Sequence, residues 1–205
     1  KDDNLTARIE LRPFGSYSVY TGYSLVNDSE GKSDKVVFGQ NYQVTKDFGI
    51  YSEHQLLKDP DARSTIEAYG ISYKVKDNYT LGIAYQQGVV NENAGESYKR
   101  RAVSLSSSYD KSKFKLTNKF EYRIDNKSSL NEETYVTTNG FSVRLTDSLR
   151  GLANFDYSIS RDRETDETIE RYSEANVGFA FRPVTNNRLA ILGRYRNIQQ
   201  EDNTS

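Results

Sequence analysis

Leu5-Thr6-Ala7-Arg8-Ile9-Glu10-Leu11-Arg12 alternates apolar and polar residues without a break. Extended as a strand, it puts Leu5, Ala7, Ile9 and Leu11 on one face and Thr6, Arg8, Glu10 and Arg12 on the other. Wound as a helix, the same charges would surround the axis. The segment is therefore a strand with one apolar and one charged face. The next segment repeats the pattern, with Tyr17, Val19, Thr21, Tyr23 and Leu25 on its apolar side. Small or polar residues stand opposite the later apolar rows, among them Gly82 and Ala84, Ser104, Ser106 and Ser108, and Asn176, Gly178 and Ala180.

Period two outscores the helical period in most segments, and Tyr, Thr, Val, Ile and Phe fill them. Strands are predicted at 5–13, 17–26, 36–45, 48–57, 65–75, 80–89, 99–109, 113–124, 134–145, 149–160, 172–182 and 188–198. Their length suits the ~9–11 residues that a tilted strand needs to cross a bilayer. Tight turns, such as Val44-Thr45-Lys46-Asp47-Phe48, Val75-Lys76-Asp77-Asn78-Tyr79 and Leu145-Thr146-Asp147-Ser148-Leu149, alternate with polar tracts at 27–34 and 161–167 that read as long loops. Short turns on one rim and long loops on the other suit a barrel of the bacterial outer membrane.

The expected fold is all-β: an antiparallel up-and-down meander of about twelve strands, forming a transmembrane β-barrel or an arc of a larger one. Closure is expected because an open sheet leaves two bare edges. Residues 1–205 read as a single barrel domain. Both ends fall on the long-loop rim, and the chain finishes Asp202-Asn203-Thr204-Ser205 without initiator Met or signal peptide. A fragment of a longer protein, with at least one more strand at each end, is expected.

The formal net charge of −1 gives no reason to expect nucleic acid, and the chain has no cysteine and a single histidine. Disulfides and thiolate metal sites are thereby excluded. No apolar run reaches the ~20 residues of a transmembrane helix. Mean hydropathy is strongly negative, which weighs toward a soluble protein, although in a barrel only alternate strand residues meet lipid.

Gly178-Phe179-Ala180-Phe181-Arg182-Pro183-Val184-Thr185-Asn186-Asn187-Arg188-Leu189-Ala190-Ile191-Leu192-Gly193-Arg194-Tyr195 and Tyr73-Lys74-Val75-Lys76-Asp77-Asn78-Tyr79-Thr80-Leu81 resemble the hairpin repeats of large, modular Gram-negative outer-membrane barrels. The resemblance implies an outer-membrane location and little about activity.

Parity assigns Leu5, Ile9, Leu11, Ile71, Tyr73, Leu81, Ile83, Leu105, Phe120, Tyr122, Phe141, Val143, Phe155, Tyr157, Val177, Phe179, Leu189 and Ile191 to lipid. It turns Arg8, Glu10, Arg12, Lys115, Lys119, Glu121, Arg123, Arg144, Arg182, Arg194 and Arg196 toward a lumen. Such a row sets ion preference or guides an anionic solute, but opposite charges on neighbouring strands also simply pair, and pairing is the first expectation. Gln40 and His54 fall on the lipid side; either a partner shields their strands or, the favoured expectation, the outer ends of those strands rise above the hydrocarbon. His54 beside Ser52 and Glu53 invites a hydrolase reading, which fails because adjacent strand residues point to opposite faces. The carboxylates of 162–167 lack the glycine and ligand spacing of a calcium loop. Tyr17, Tyr79, Tyr109 and Tyr135, near strand ends, suit a headgroup-level girdle.

The functional expectation is a non-enzymatic outer-membrane barrel without cofactor or metal, acting as a passive pore or as the membrane anchor of a larger surface protein. Its partners would be outer-membrane lipid and further strands or domains of the same protein. The alternative is a soluble extracellular β-domain that binds a ligand or a surface partner.

Overall fold

The computed structural model describes residues 3–28, 31–93, 95–128, 130–183 and 190–202. Among them are twelve strands and no helix: β1 (Asp3–Phe14), β2 (Tyr17–Asp28), β3 (Gly31–Gln43), β4 (Phe48–Lys58), β5 (Ala62–Lys76), β6 (Tyr79–Glu92), β7 (Ser97–Lys111), β8 (Phe114–Asn126), β9 (Asn131–Arg144), β10 (Leu149–Asp162), β11 (Thr168–Phe181) and β12 (Ile191–Asp202). All twelve predicted strands are present, and they follow one another across the sheet in chain order. The order starts on β1 and ends on β12, so the expected closure is not observed among the described residues. Among the described residues each terminal strand has one neighbour.

The chain divides into two compact units. The first comprises Lys1–Tyr73, Gly82–Val103 and Arg123–Glu132; the second comprises Lys74–Leu81, Ser104–Tyr122 and Glu133–Ser205.

One rim, here called proximal, carries the β1–β2, β3–β4, β5–β6, β7–β8, β9–β10 and β11–β12 connections; the distal rim carries the others. The long-loop reading of 27–34 is overturned. Strand β3 already begins at Gly31, opposite Asp28, and Lys32, Ser33 and Asp34 pair with Asn27, Val26 and Leu25. A polar tract can extend a hairpin because the ladder uses backbone groups only. Side chains reinforce it here, with the Tyr23 hydroxyl donating to Asp34 at 2.7 Å. The 161–167 tract is shorter than expected, since β10 runs to Asp162 and β11 starts at Thr168. Its carboxylates serve the loop itself: Asp162 accepts from the backbone N–H of Glu164 at 2.9 Å, and Asp166 pairs with Arg161 at 3.3 Å.

Burial inverts the pattern of a water-soluble sheet. Phe38, Tyr69, Ile71, Tyr73, Ile83, Val103, Leu105, Phe155 and Phe179 are all exposed, whereas Ser18, Ser104, Glu121, Asp125, Thr134, Ser160 and Asn176 are buried. Several residues run against this, and Tyr20, Ile66, Val90 and Tyr98 are buried on the polar side. Ile159 is buried on the apolar side, and Leu152, Leu192 and Ile198 are exposed on the polar side. Tyr122, Val143 and Tyr157 are half-buried on the apolar face. In the case of Tyr122 the ring of Tyr135 lies 5.0 Å away between centroids. Leu189 lies outside the described residues.

On the polar face, glycines lie opposite aromatic residues. Tyr20 pairs with Gly39 and Tyr51 with Gly70, and each ring lies over the bare glycine. A Cβ on Gly39 would overlap the Tyr20 ring. Gly39→Ala is expected to push that ring aside, break its hydroxyl bond to Glu53 and destabilise the chain by roughly 1–3 kcal/mol. The check is the urea midpoint, with Gly39→Ala in a Tyr20→Ala background costing much less than in the wild type.

Candidate functional site: the charged face

The alternation of β1 turns Arg8, Glu10 and Arg12 to the polar face, where Glu10 holds both arginines, Arg8 at 3.5 Å and Arg12 at 2.9 Å. The Arg8 guanidinium also lies over the Tyr20 ring, 4.0 Å from its centroid. Tyr20 donates to Glu53, which accepts a second bond from Gln55 at 2.7 Å. A cation, a phenol and a carboxylate thus link β1, β2 and β4. These polar groups of β1, β2 and β4 satisfy one another.

The first unit holds a second and more buried cluster. Arg100 of β7 makes two bonds to Asp125 of β8, at 2.8 and 2.7 Å, and the Asp125 side chain is only 5% exposed. Lys127, just past β8, pairs with Glu132 at 3.1 Å and lies 5.2 Å from the Tyr98 ring. Asp125, Arg100 and Tyr98 escaped the sequence reading, although parity along β7 and β8 places all three on the polar face.

In the second unit, Lys119 pairs with the buried Glu121 at 2.7 Å, and Lys115 with Asp110 at 3.7 Å. On β12, Arg196 holds Glu174 through two bonds of 2.7 and 2.8 Å, while Arg194 donates to Asn176 at 2.9 Å. Glu174 also accepts from Tyr172 at 2.5 Å. Pairing, the first expectation, accounts for most of the charged row. Arg144 and Arg150 are exposed, and neither has a carboxylate partner among the described residues. Arg123 is half-buried. Arg182 lies one residue past the end of β11, and its backbone N–H donates to the Ser148 carbonyl at 2.8 Å.

On the apolar face, His54 pairs across the ladder with Phe38 and Glu67, and Gln40 with Ser52. Glu67 is the opposite-strand acid that the sequence did not name. No hydrogen bond among the described residues joins His54 to Ser52 or Glu67, so no catalytic relay is assembled. Gln40 sits near the proximal end of β3 and is not lifted out by a loop. Instead Tyr17 donates to it at 2.9 Å and it donates to Ser52 at 3.0 Å. No cluster with metal-ligand composition occurs among the described residues.

No protein-family model matches the chain, and no curated protein matches it. Solved structures do. A loop-deletion form of OmpT, an outer membrane protein of Vibrio cholerae, aligns at 7% identity over 97% of this chain and 85% of that one, with a TM-score of 0.65. DcaP, an outer membrane channel of Acinetobacter baumannii, aligns at 11% identity over 97% and 79%, with a TM-score of 0.64. CymD, a monoaromatic hydrocarbon channel, aligns at 10% identity over 98% and 82%, with a TM-score of 0.54. The chain therefore has the all-β meander fold of bacterial outer-membrane β-barrel proteins.

Proposed function

We propose that the chain is a bacterial outer-membrane protein whose apolar face meets lipid and whose charged face lines a passive path for small solutes. The observation that carries this reading is the pattern of burial, with large apolar side chains exposed on one face and Glu121, Asp125, Asn176 and several hydroxyls buried on the other. Water cannot be the solvent of both faces, because an exterior with so many exposed large apolar side chains far exceeds what soluble proteins tolerate. Two fold relatives, DcaP and CymD, are described as channels. The reading is non-enzymatic, and transport needs no reacting group. Among the described residues Arg144 and Arg150 of the charged face have no carboxylate partner, which favours anions over cations.

Planar-bilayer recording tests it. The expected result is stepwise conductance with a reversal potential on the anion side, moved toward the cation side by Arg144→Glu with Arg150→Glu. A chain that inserts but stays silent would leave only the role of membrane anchor. A cation-selective wild type would contradict the assignment of the two arginines.

A further inference from the structure

Most basic side chains of the charged face have carboxylate partners, but the distal apolar face of the first unit behaves differently. Arg63 of β5 and Lys99 and Arg101 of β7 are exposed there, and among the described residues none of the three has a carboxylate within ion-pair distance. Lys99 and Arg101 line a groove of about 350 Å³ together with Thr65, Glu67, Gln87 and Val89. Glu67 is the one carboxylate lining it, and it already accepts bonds from Tyr69 at 3.2 Å and Gln87 at 3.1 Å. Lys58, opposite Arg63, pairs on its other side with Asp34 in the ladder.

Height along the strand gives the groove its meaning. From Tyr73 to Thr65, β5 climbs roughly 20 Å along the membrane normal, at ~3.3 Å per residue and a ~40° tilt. The groove therefore stands at the outer edge of an apolar band ~25 Å tall. Below it the same strands expose Tyr69 and Ile71, Ile83 and Tyr85, and Val103 and Leu105. Unpartnered cations directly above an apolar wall call for an anion that carries its own apolar tail.

We infer that Lys99 and Arg101 form an outward-facing site for the phosphate groups of an anionic lipid, whose acyl chains lie on the apolar wall beneath. The inference rests on the membrane reading above. The occupant is a lipid and not free phosphate, because the groove is continuous with the apolar face.

The test uses the full chain inserted in phosphatidylcholine vesicles doped with nitroxide-labelled diphosphoryl lipid A or its dephosphorylated form. The immobilised fraction of each label reports its preference for the protein surface. The diphosphoryl form is expected to be preferred, and Lys99→Gln with Arg101→Gln to reduce that preference about fivefold per charge removed. Arg161→Gln with Arg171→Gln removes the same charge from arginines that are already paired, and should leave the preference in place. Equal immobilisation of the two lipids, or equal loss in both double variants, would overturn the site. So would cross-linking of two copies of the chain through Arg101→Cys. A chain that fails to float with either vesicle would instead contradict the membrane reading itself.

Discussion

Phe155→Arg is expected to abolish insertion into lipid while leaving strand pairing intact. Phe155 is 46% exposed on β10, and its backbone pairs with Ala175 of β11. Neither position offers the new guanidinium a carboxylate on that face. At the level of mid-bilayer an arginine on the outer face of a barrel costs roughly 2–4 kcal/mol. Asn154→Arg, one residue earlier, turns the same charge to the polar face, opposite Asn176, and should insert normally. Vesicle flotation separates the two variants. If Phe155→Arg floats as well as the wild type, that face does not meet hydrocarbon. If it unfolds a protein that was soluble without lipid, the sheet belongs to a soluble domain.

Asp125→Ala is expected to be the most destabilising single substitution on the charged face. Its side chain is almost fully covered, and its two bonds to Arg100 are short. Removing the carboxylate leaves a guanidinium that is still three-quarters covered, and breaking such a pair costs ~3–5 kcal/mol. The lower end of that range is expected, because part of Arg100 reaches solvent. Replacing both partners, Arg100→Leu with Asp125→Leu, should recover most of the loss, since the cost lies in the orphaned charge and not in the missing pair. Urea unfolding of the vesicle-inserted chain measures both. A single variant within ~1 kcal/mol of the wild type would show that water reaches Arg100 freely.

Strand positions were legible because side-chain alternation is a local property. In β1 four consecutive apolar–polar steps leave no second reading, and the same parity puts exposed Val177 and buried Asn176 on opposite faces. Strand ends were not legible. The tract from Lys32 to Asp34 carries turn-like composition, yet its backbone continues the ladder with β2, and composition says nothing of backbone partners. Cross-strand chemistry was hidden for the same reason. Glu67 faces His54 only through the β4–β5 register, and Tyr20 covers Gly39 only through that of β2–β3. Arg100 and Asp125 are 25 residues apart in the chain, and only the fold brings them together. The expected closure failed where the argument was least local, since it rested on the general cost of sheet edges and not on any residue of β1 or β12.

The central claim is that one face of this sheet lies in lipid and the other in water. The chain has no cysteine, so single cysteines at Ala153, Asn154, Phe155, Asp156 and Tyr157 can each carry a nitroxide without background. In vesicles, collision with oxygen should be high at 153, 155 and 157, and collision with a water-soluble nickel chelate high at 154 and 156. Strict alternation between the two probes is the predicted result. Nickel access at all five positions, with no oxygen excess at any, would contradict the account.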